Sequence, residues 1–226
     1  MKKVGFIGAT DKTSFVIYVA KTLESIGKKV IVVDTTITQK TKYVVPAINP
    51  TKSYITDFEN IDFAVGFESL GDILEYLRTS EDKMQYDYML IDIDNYKAIE
   101  NFGIENTKEN YFVTAFDIYS LRKGVEILKN LSEPLNLSRI LCDYSIKKED
   151  EEYLDYLSLE TKTNWNDLKL YVPLSDFDRQ VLEENERVYR VRIKRLSAEY
   201  QEGIYYIAQD IVKDLSVGKI RKMIKE

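Results

Sequence analysis

The run Val30-Ile31-Val32-Val33 constrains this chain most. Four consecutive β-branched apolar residues cannot alternate between a wet face and a dry one. A strand of that kind is covered on both sides, as in a parallel sheet held between two layers of helix. The run closes on Asp34, and the signature recurs. Lys3-Val4-Gly5-Phe6-Ile7 breaks at Gly8, and Tyr88-Met89-Leu90-Ile91 ends on Asp92. Residues 61–67, 111–115, 139–142 and 168–172 read as further strands.

Helical stripes lie between these runs. Val16, Val19, Ala20, Leu23 and Ile26 share one face, with Thr13 or Ser14 as the expected cap and Gly27 as the stop. Leu70, Ile73, Leu74 and Leu77 form a second stripe, and Leu121, Val125 and Leu128 a third. The last long helix carries Tyr200, Ile204, Ile207, Ala208, Ile211 and Leu215. Residues 35–60, which include Pro46 and Pro50, read as a loop with short extended pieces. There is no Gly/Ser-rich linker and no repeat. The expectation is one domain over residues 1–226, a three-layer α/β fold whose mostly parallel central sheet has about seven strands flanked by helices.

Composition removes whole classes of chemistry. The 226 residues include no histidine and one cysteine, Cys142. A Ser-His-Asp or Cys-His arrangement, an imidazole ligand, an internal disulfide and a thiolate zinc site are all excluded. Cys142 reads as a small buried hydrophobe at a strand end. The N-terminal MKKVGFIGAT has too short an apolar run for a signal peptide, and no stretch approaches the length of a membrane span. A cytoplasmic protein is expected, with the inner membrane face as a secondary location. The formal charge of -6 argues against a broad DNA-coating surface.

Ligands of parallel sheets sit beyond the carboxyl ends of the strands, which directs attention to Gly8, Ala9, Thr10, Asp11, Lys12, Thr13 and Ser14. A dinucleotide turn would need glycine at Thr10 and Thr13, and only Asp34, placed for a ribose, supports that reading. A phosphate loop needs backbone amides curved around an anion, a lysine at the first helical turn and a hydroxyl for Mg²⁺. Lys12 and Thr13 supply the last two. Asp11 departs from the pattern, because it replaces a glycine with a carboxylate where phosphate would lie. The plain alternative is a helix start that binds nothing.

Taken together, four segments resemble the MinD/ParA family of deviant Walker A ATPases. They are the loop from Gly8 to Ser14, the strand ending at Asp34, Tyr86-Asp87-Tyr88-Met89-Leu90-Ile91-Asp92, and Leu170-Tyr171-Val172-Pro173-Leu174-Ser175-Asp176. The resemblance implies a P-loop NTPase-like fold that binds ATP and Mg²⁺. Lys12 would contact phosphate and Thr13 would hold the metal. Asp92 would be the acid that orients the metal, and Asp34 the first acid of switch I. It also implies a homodimer that positions a cargo within a larger assembly.

The departures imply a degenerate member. The position of the family's cross-subunit lysine is Ile7, the second switch I acid is Thr36, and the switch II prolines are Asp94 and Asn95. The strand-end asparagine that reads adenine falls at Cys142 or Asp143. The expected function is therefore a pseudo-ATPase acting as a localisation or scaffold factor for a bacterial secretion, pilus, conjugation or partitioning apparatus. An atypical active ATPase using Lys12, Thr13 and Asp92 with Mg²⁺ is the alternative, and a dinucleotide-dependent enzyme ranks below both. A protein partner is favoured. DNA or membrane contact would fall to the basic cluster Arg187, Arg190, Arg192, Lys194 and Arg195, read as a short strand or a helix approach, or to the tail at residues 217–226. The tail's plain reading is a solvated helix end whose cations complement the helix dipole.

Overall fold

Residues that are apolar on both faces of a strand demand two covering layers, and the chain supplies them. The computed structural model describes residues 1–143 and 146–224. Eight strands form one sheet: β1 (Lys2–Ile7), β2 (Val30–Asp34), β3 (Tyr54–Phe58), β4 (Ile61–Val65), β5 (Tyr88–Ile93), β6 (Asn110–Thr114), β7 (Leu135–Leu141) and β8 (Thr163–Tyr171). Their spatial order is β3-β4-β2-β5-β1-β6-β7-β8. Every neighbouring pair is parallel except β3 with β4.

The helices are α1 (Thr13–Ser25), α2 (Thr41–Val44), α3 (Leu70–Leu77), α4 (Tyr96–Asn101), α5 (Ile118–Lys129), α6 (Lys148–Ser158), α7 (Asp176–Arg187), α8 (Ala198–Val212) and α9 (Val217–Met223). Alternate strand residues feed two separate cores. Val30, Val32 and Leu90 pack with α1, α7, α8 and α9. Ile31, Val33, Met89, Ile91 and Ile93 pack on the other face with α3, α4, α5 and α6. Burial extends around most of α1, taking in Phe15, Ile17, Tyr18 and Thr22 beyond the expected stripe. The reason is that α1 packs against α8 as well as against the sheet.

The eighth strand is the main addition to the expected architecture. Within the segment read as loop, β3 turns back on β4 through Glu59 and Asn60, at φ +56° and +61°. Two consecutive left-handed residues make a tight hairpin whose twist matches that of its strands. Asn60 is a usual occupant of such a turn, but Glu59 is not, which hid the signal. The strand expected over residues 61–67 stops at Val65 because Gly66 turns at φ +82°, where a Cβ would sit 2.1 Å from the Lys52 carbonyl oxygen.

The start of α1 differs from the expected capping. Neither Thr13 nor Ser14 caps α1. Lys12 holds the N-cap position without a side-chain capping bond, and Asp11 instead accepts from the Thr13 amide at 3.1 Å. The basic cluster near Arg190 is not a strand but a helix approach: a turn runs into a short 3₁₀ segment, Ile193–Arg195, which leads to the start of α8. Arg187, Arg190 and Arg195 are paired there with Glu183, Glu59 and Glu184. The acidic run from Lys147 to Glu152 forms the largely solvated start of α6. In the tail, Ile220 and Ile224 are buried in the core, so α9 docks by the apolar side that a membrane would need. Lys225 and Glu226 lie outside the described residues. Among those described, no helix is long and apolar enough to cross a membrane.

The start of α7 is tied to the start of α8 by one fully buried carboxylate. Asp178 accepts from the Ser175 hydroxyl at 2.5 Å, the Ser197 amide at 2.7 Å and the Ser197 hydroxyl at 2.8 Å. Ser175 and Ser197 are themselves the two N-caps. Asp178→Ala removes a buried charged acceptor from three half-buried donors, a loss of about 3 kcal/mol. Urea unfolding of the variant should show the lowered midpoint, with Asp178→Asn losing less.

Candidate nucleotide site at the carboxyl ends of the strands

The register of three parallel strands builds this site. Phe6 of β1 and Asp34 of β2 both lie beside Asp92 of β5. The Asp34 and Asp92 side chains therefore emerge near each other at the sheet's carboxyl edge. The chain leaves β1 through Gly8, whose amide donates to the Ile93 carbonyl at 3.0 Å. A Cβ on Gly8 would stand 2.0 Å from the Val113 carbonyl oxygen, so only glycine lets the loop pass β6. On the far side, the Thr10 hydroxyl accepts from the Ala115 amide at 3.0 Å.

Lys12, Thr13 and Asp92 meet at the foot of α1. The Lys12 Nζ donates to the Gly8 carbonyl at 2.8 Å and lies 2.8 Å from one Asp92 oxygen. That second contact is a buried ion pair. The Thr13 hydroxyl donates to the other Asp92 oxygen at 2.8 Å. All three residues are buried. Burial pushes the Asp92 carboxyl above its ordinary range, Lys12 opposes the shift, and Asp34 adds to it.

Asp34 is bound within its own turn. One oxygen accepts from the Thr36 amide at 3.0 Å and the Thr36 hydroxyl at 2.6 Å, and the other from the Thr41 amide at 3.0 Å. Asp94 accepts from the Ile37 amide with both oxygens. Asn95 donates to the Thr35 carbonyl at 3.0 Å and caps α4 through Ala98. The two loops are thus fastened together. Among the described residues no group of three or more carboxylate or thiol side chains is arranged as a metal site.

Above the loop opens a cleft of about 500 Å³. Leu174, Leu182, Tyr200 and Cys142 contribute apolar wall, and Lys12, Ser14, Lys40 and Arg179 line its polar part. Cys142 follows β7 and is half-buried. Desolvation lifts its thiol to about 12, with the nearby Lys12 charge acting the other way. Ile7 points into the core, fully buried, and supplies no cation.

The structure brings together Gly8, Ala9, Thr10, Asp11, Lys12, Thr13, Ser14 and Asp92, and it sets Asp34 beside them with its oxygens already engaged. Sequence reasoning missed Lys40 and Glu186. The Lys40 Nζ lies 3.0 Å from Asp11, 3.2 Å from the Ser14 hydroxyl and 3.3 Å from Glu186. The Ser14 hydroxyl donates to Glu186 at 2.8 Å. Burial works against the charge on Lys40, but Asp11 and Glu186 outweigh it and hold the ammonium above its usual range. Nothing in the spacing of these residues marks them, because α2 and α7 are brought over the loop only by folding.

An ammonium, a hydroxyl and a carboxylate meet here at a helix N-terminus after a buried parallel strand, where backbone amides favour an anion. Comparison with solved structures agrees on the fold. The chain is similar to a ParA family ATPase from Chlorobium tepidum, at 12% identity, covering 92% of this chain and 98% of that one, with a TM-score of 0.61. It is similar to MinD of the MinC:MinD cell division complex of Aquifex aeolicus, at 11% identity, 96% and 97% coverage and a TM-score of 0.63. It is also similar to a single-residue variant of Cyanothece McdA in complex with ATP, at 13% identity, 96% and 98% coverage and a TM-score of 0.59. No protein-family model and no curated protein matches the chain in sequence. The fold is that of the ParA and MinD ATPases: one α/β domain with a mostly parallel sheet flanked by helices.

Two measurements probe this geometry. Lys12→Met leaves the Asp92 carboxylate buried without its cation, a loss of about 3 kcal/mol, whereas Lys12→Met/Asp92→Asn removes both charges and recovers more than half of it. A double-mutant cycle by urea unfolding reads the coupling. The second concerns Cys142. A thiol raised to about 12 from the ordinary 9.0 carries roughly a thousandfold less thiolate at pH 8. Disulfide-reagent labelling of the native protein should be at least about a hundredfold slower than in urea.

Proposed function

We propose that this chain is a nucleotide-binding localisation or scaffold protein of the ParA/MinD type. It would act as a homodimer on a protein partner within a bacterial assembly, with weak or absent hydrolysis. The meeting of Lys12, Thr13 and Asp92 at the foot of the cleft carries the proposal. ATP with Mg²⁺ fits this donor set: Lys12 is the cation for the phosphates, and Thr13 and Asp92 offer hydroxyl and carboxylate oxygen to the metal. Bound Mg²⁺ would neutralise phosphate charge. The apolar wall at Leu174, Leu182 and Tyr200 suits the flat base. The reading places the protein in the cytoplasm, with the inner membrane face second.

Several features support weak turnover. Phosphoryl transfer depends on positioned charge. The position where the resemblance implies a cross-subunit lysine is a buried Ile7. Asp34 holds its own turn with both oxygens, and Thr36 donates to Asp34 and so offers no second carboxylate to a water. Each missing electrostatic element costs a few kcal/mol of transition-state stabilisation. The engagement of Asp34 also weighs against a dinucleotide enzyme that would use it on a ribose.

The neighbours' roles favour positioning work: one is MinD in complex with MinC, and another binds ATP. Local charge favours a protein partner over DNA, since three of the arginines in the basic cluster are already paired with glutamates. The docked apolar side of α9 likewise disfavours a membrane anchor.

Calorimetry with ATP and Mg²⁺, together with a phosphate-release assay, tests the proposal. Binding in the micromolar range is expected, with turnover at least about a hundredfold below an active ParA-type ATPase. Submicromolar binding with comparable turnover would replace it by the active reading, and that reading in turn requires Lys12→Ala to abolish hydrolysis.

A further inference from the structure

The loop carries an anion of its own. Asp11 places one carboxylate oxygen on the Thr13 amide at 3.1 Å, and that amide belongs to the first residue of α1. An incoming phosphoryl oxygen would seek the same donor, because the amides at a helix N-terminus have no partners within the helix. The other Asp11 oxygen lies 3.0 Å from Lys40. Lys40 occupies the N-cap position of α2 and reaches back over the loop from the segment after β2. Its ammonium also contacts the Ser14 hydroxyl and Glu186 of α7.

One cation is therefore shared by two carboxylates at the mouth of the cleft. The group carries an excess negative charge, and a multiply charged anion cannot join it while Asp11 stays in place. Lys40 is itself partly open to the cleft, with 30% of its side chain exposed. Lys12 sits deeper, against Asp92 and Gly8, and Lys40 is a further cation beside the loop whose carboxylate partner an anion can displace.

We propose that Lys40 is a second phosphate-binding cation of this loop, supplied within the same chain, and that Asp11 is its built-in competitor. An arriving phosphoryl group takes the Thr13 amide and the Lys40 ammonium from Asp11, while Glu186 and Ser14 keep Lys40 near the loop. No bond is made or broken in the exchange. The inference rests on the nucleotide reading above and deepens it: the site's affinity is set by a contest between Asp11 and the ligand for one ammonium and one amide.

The test measures binding of Mg²⁺-pyrophosphate and Mg²⁺-ATP to the full chain by calorimetry. Asp11→Ala keeps the Cβ and removes only the carboxylate, so it should bind both probes about tenfold more tightly or better. Adding Lys40→Met to Asp11→Ala should cost about tenfold or more, and adding Lys40→Arg instead should retain most of the gain. Arg179→Met in the same background controls for general charge at the rim and should cost much less. The Lys40 assignment is overturned if Lys40→Met/Asp11→Ala binds like Asp11→Ala, or if the Arg179 change costs as much. If pyrophosphate follows the expected pattern but ATP binds no tighter than pyrophosphate, Lys40 stands and the nucleotide reading falls. If neither probe binds Asp11→Ala, both fall.

Discussion

The buried pair of Lys12 and Asp92, with the Thr13 hydroxyl across it, is the contact on which the rest of this structure depends. It joins the first turn of α1 to the carboxyl end of β5, and so fixes where the loop after β1 must run. Two charges taken out of water at this depth are costly unless each satisfies the other. Lys12 finds Asp92 and the Gly8 carbonyl. Asp92 finds Lys12 and Thr13. A purely structural site could have used apolar residues here at no loss. An ammonium, a carboxylate and a hydroxyl at the edge of an open cleft are the groups that a charged ligand would use.

Around this pair the sheet edge is unusually self-sufficient. Asp34, Asp94 and Asn95 all spend their polar atoms on neighbouring backbone, which holds the segment after β2 against the segment after β5. Asp11 and Glu186 share Lys40 above them. In a nucleotide switch these groups would be exchanged between protein and ligand. Here each has a partner within the chain, so an incoming anion must displace existing bonds before it gains any. Under the function proposed above, this is the physical reason to expect weak binding and weak turnover.

Much of the architecture was legible in the amino-acid order. The buried runs at Val30 and Tyr88 named their strands because no half-exposed strand tolerates that pattern. The stripes at Leu70 and Leu121 named their helices, and the stripe at Tyr200 named α8 as far as Ile211, whereas Leu215 lies beyond the left-handed cap at Lys213. The hairpin partner β3 was not legible, since a strand of ordinary alternation joined by Glu59 and Asn60 looks like loop until β4 is beside it. The cap of α1 was misassigned for a similar reason. Thr13 has the right chemistry for a cap, but its hydroxyl is taken by Asp92, a partner 79 positions away in the chain.

For the site, the sequence alone determined its place and its donor types. A short strand closing on Gly8, followed by Lys12, Thr13 and a helix, admits few other geometries, and a chain without histidine has no imidazole to offer there. Tertiary structure alone decided which of those groups are free to act. Parallel register set Asp34 and Asp92 side by side, and the packing of α2 and α7 over the loop delivered Lys40 and Glu186. The reason is range: local sequence dictates backbone conformation within a few residues, whereas the pairing of charges depends on segments that meet only when the sheet and its two helical layers close.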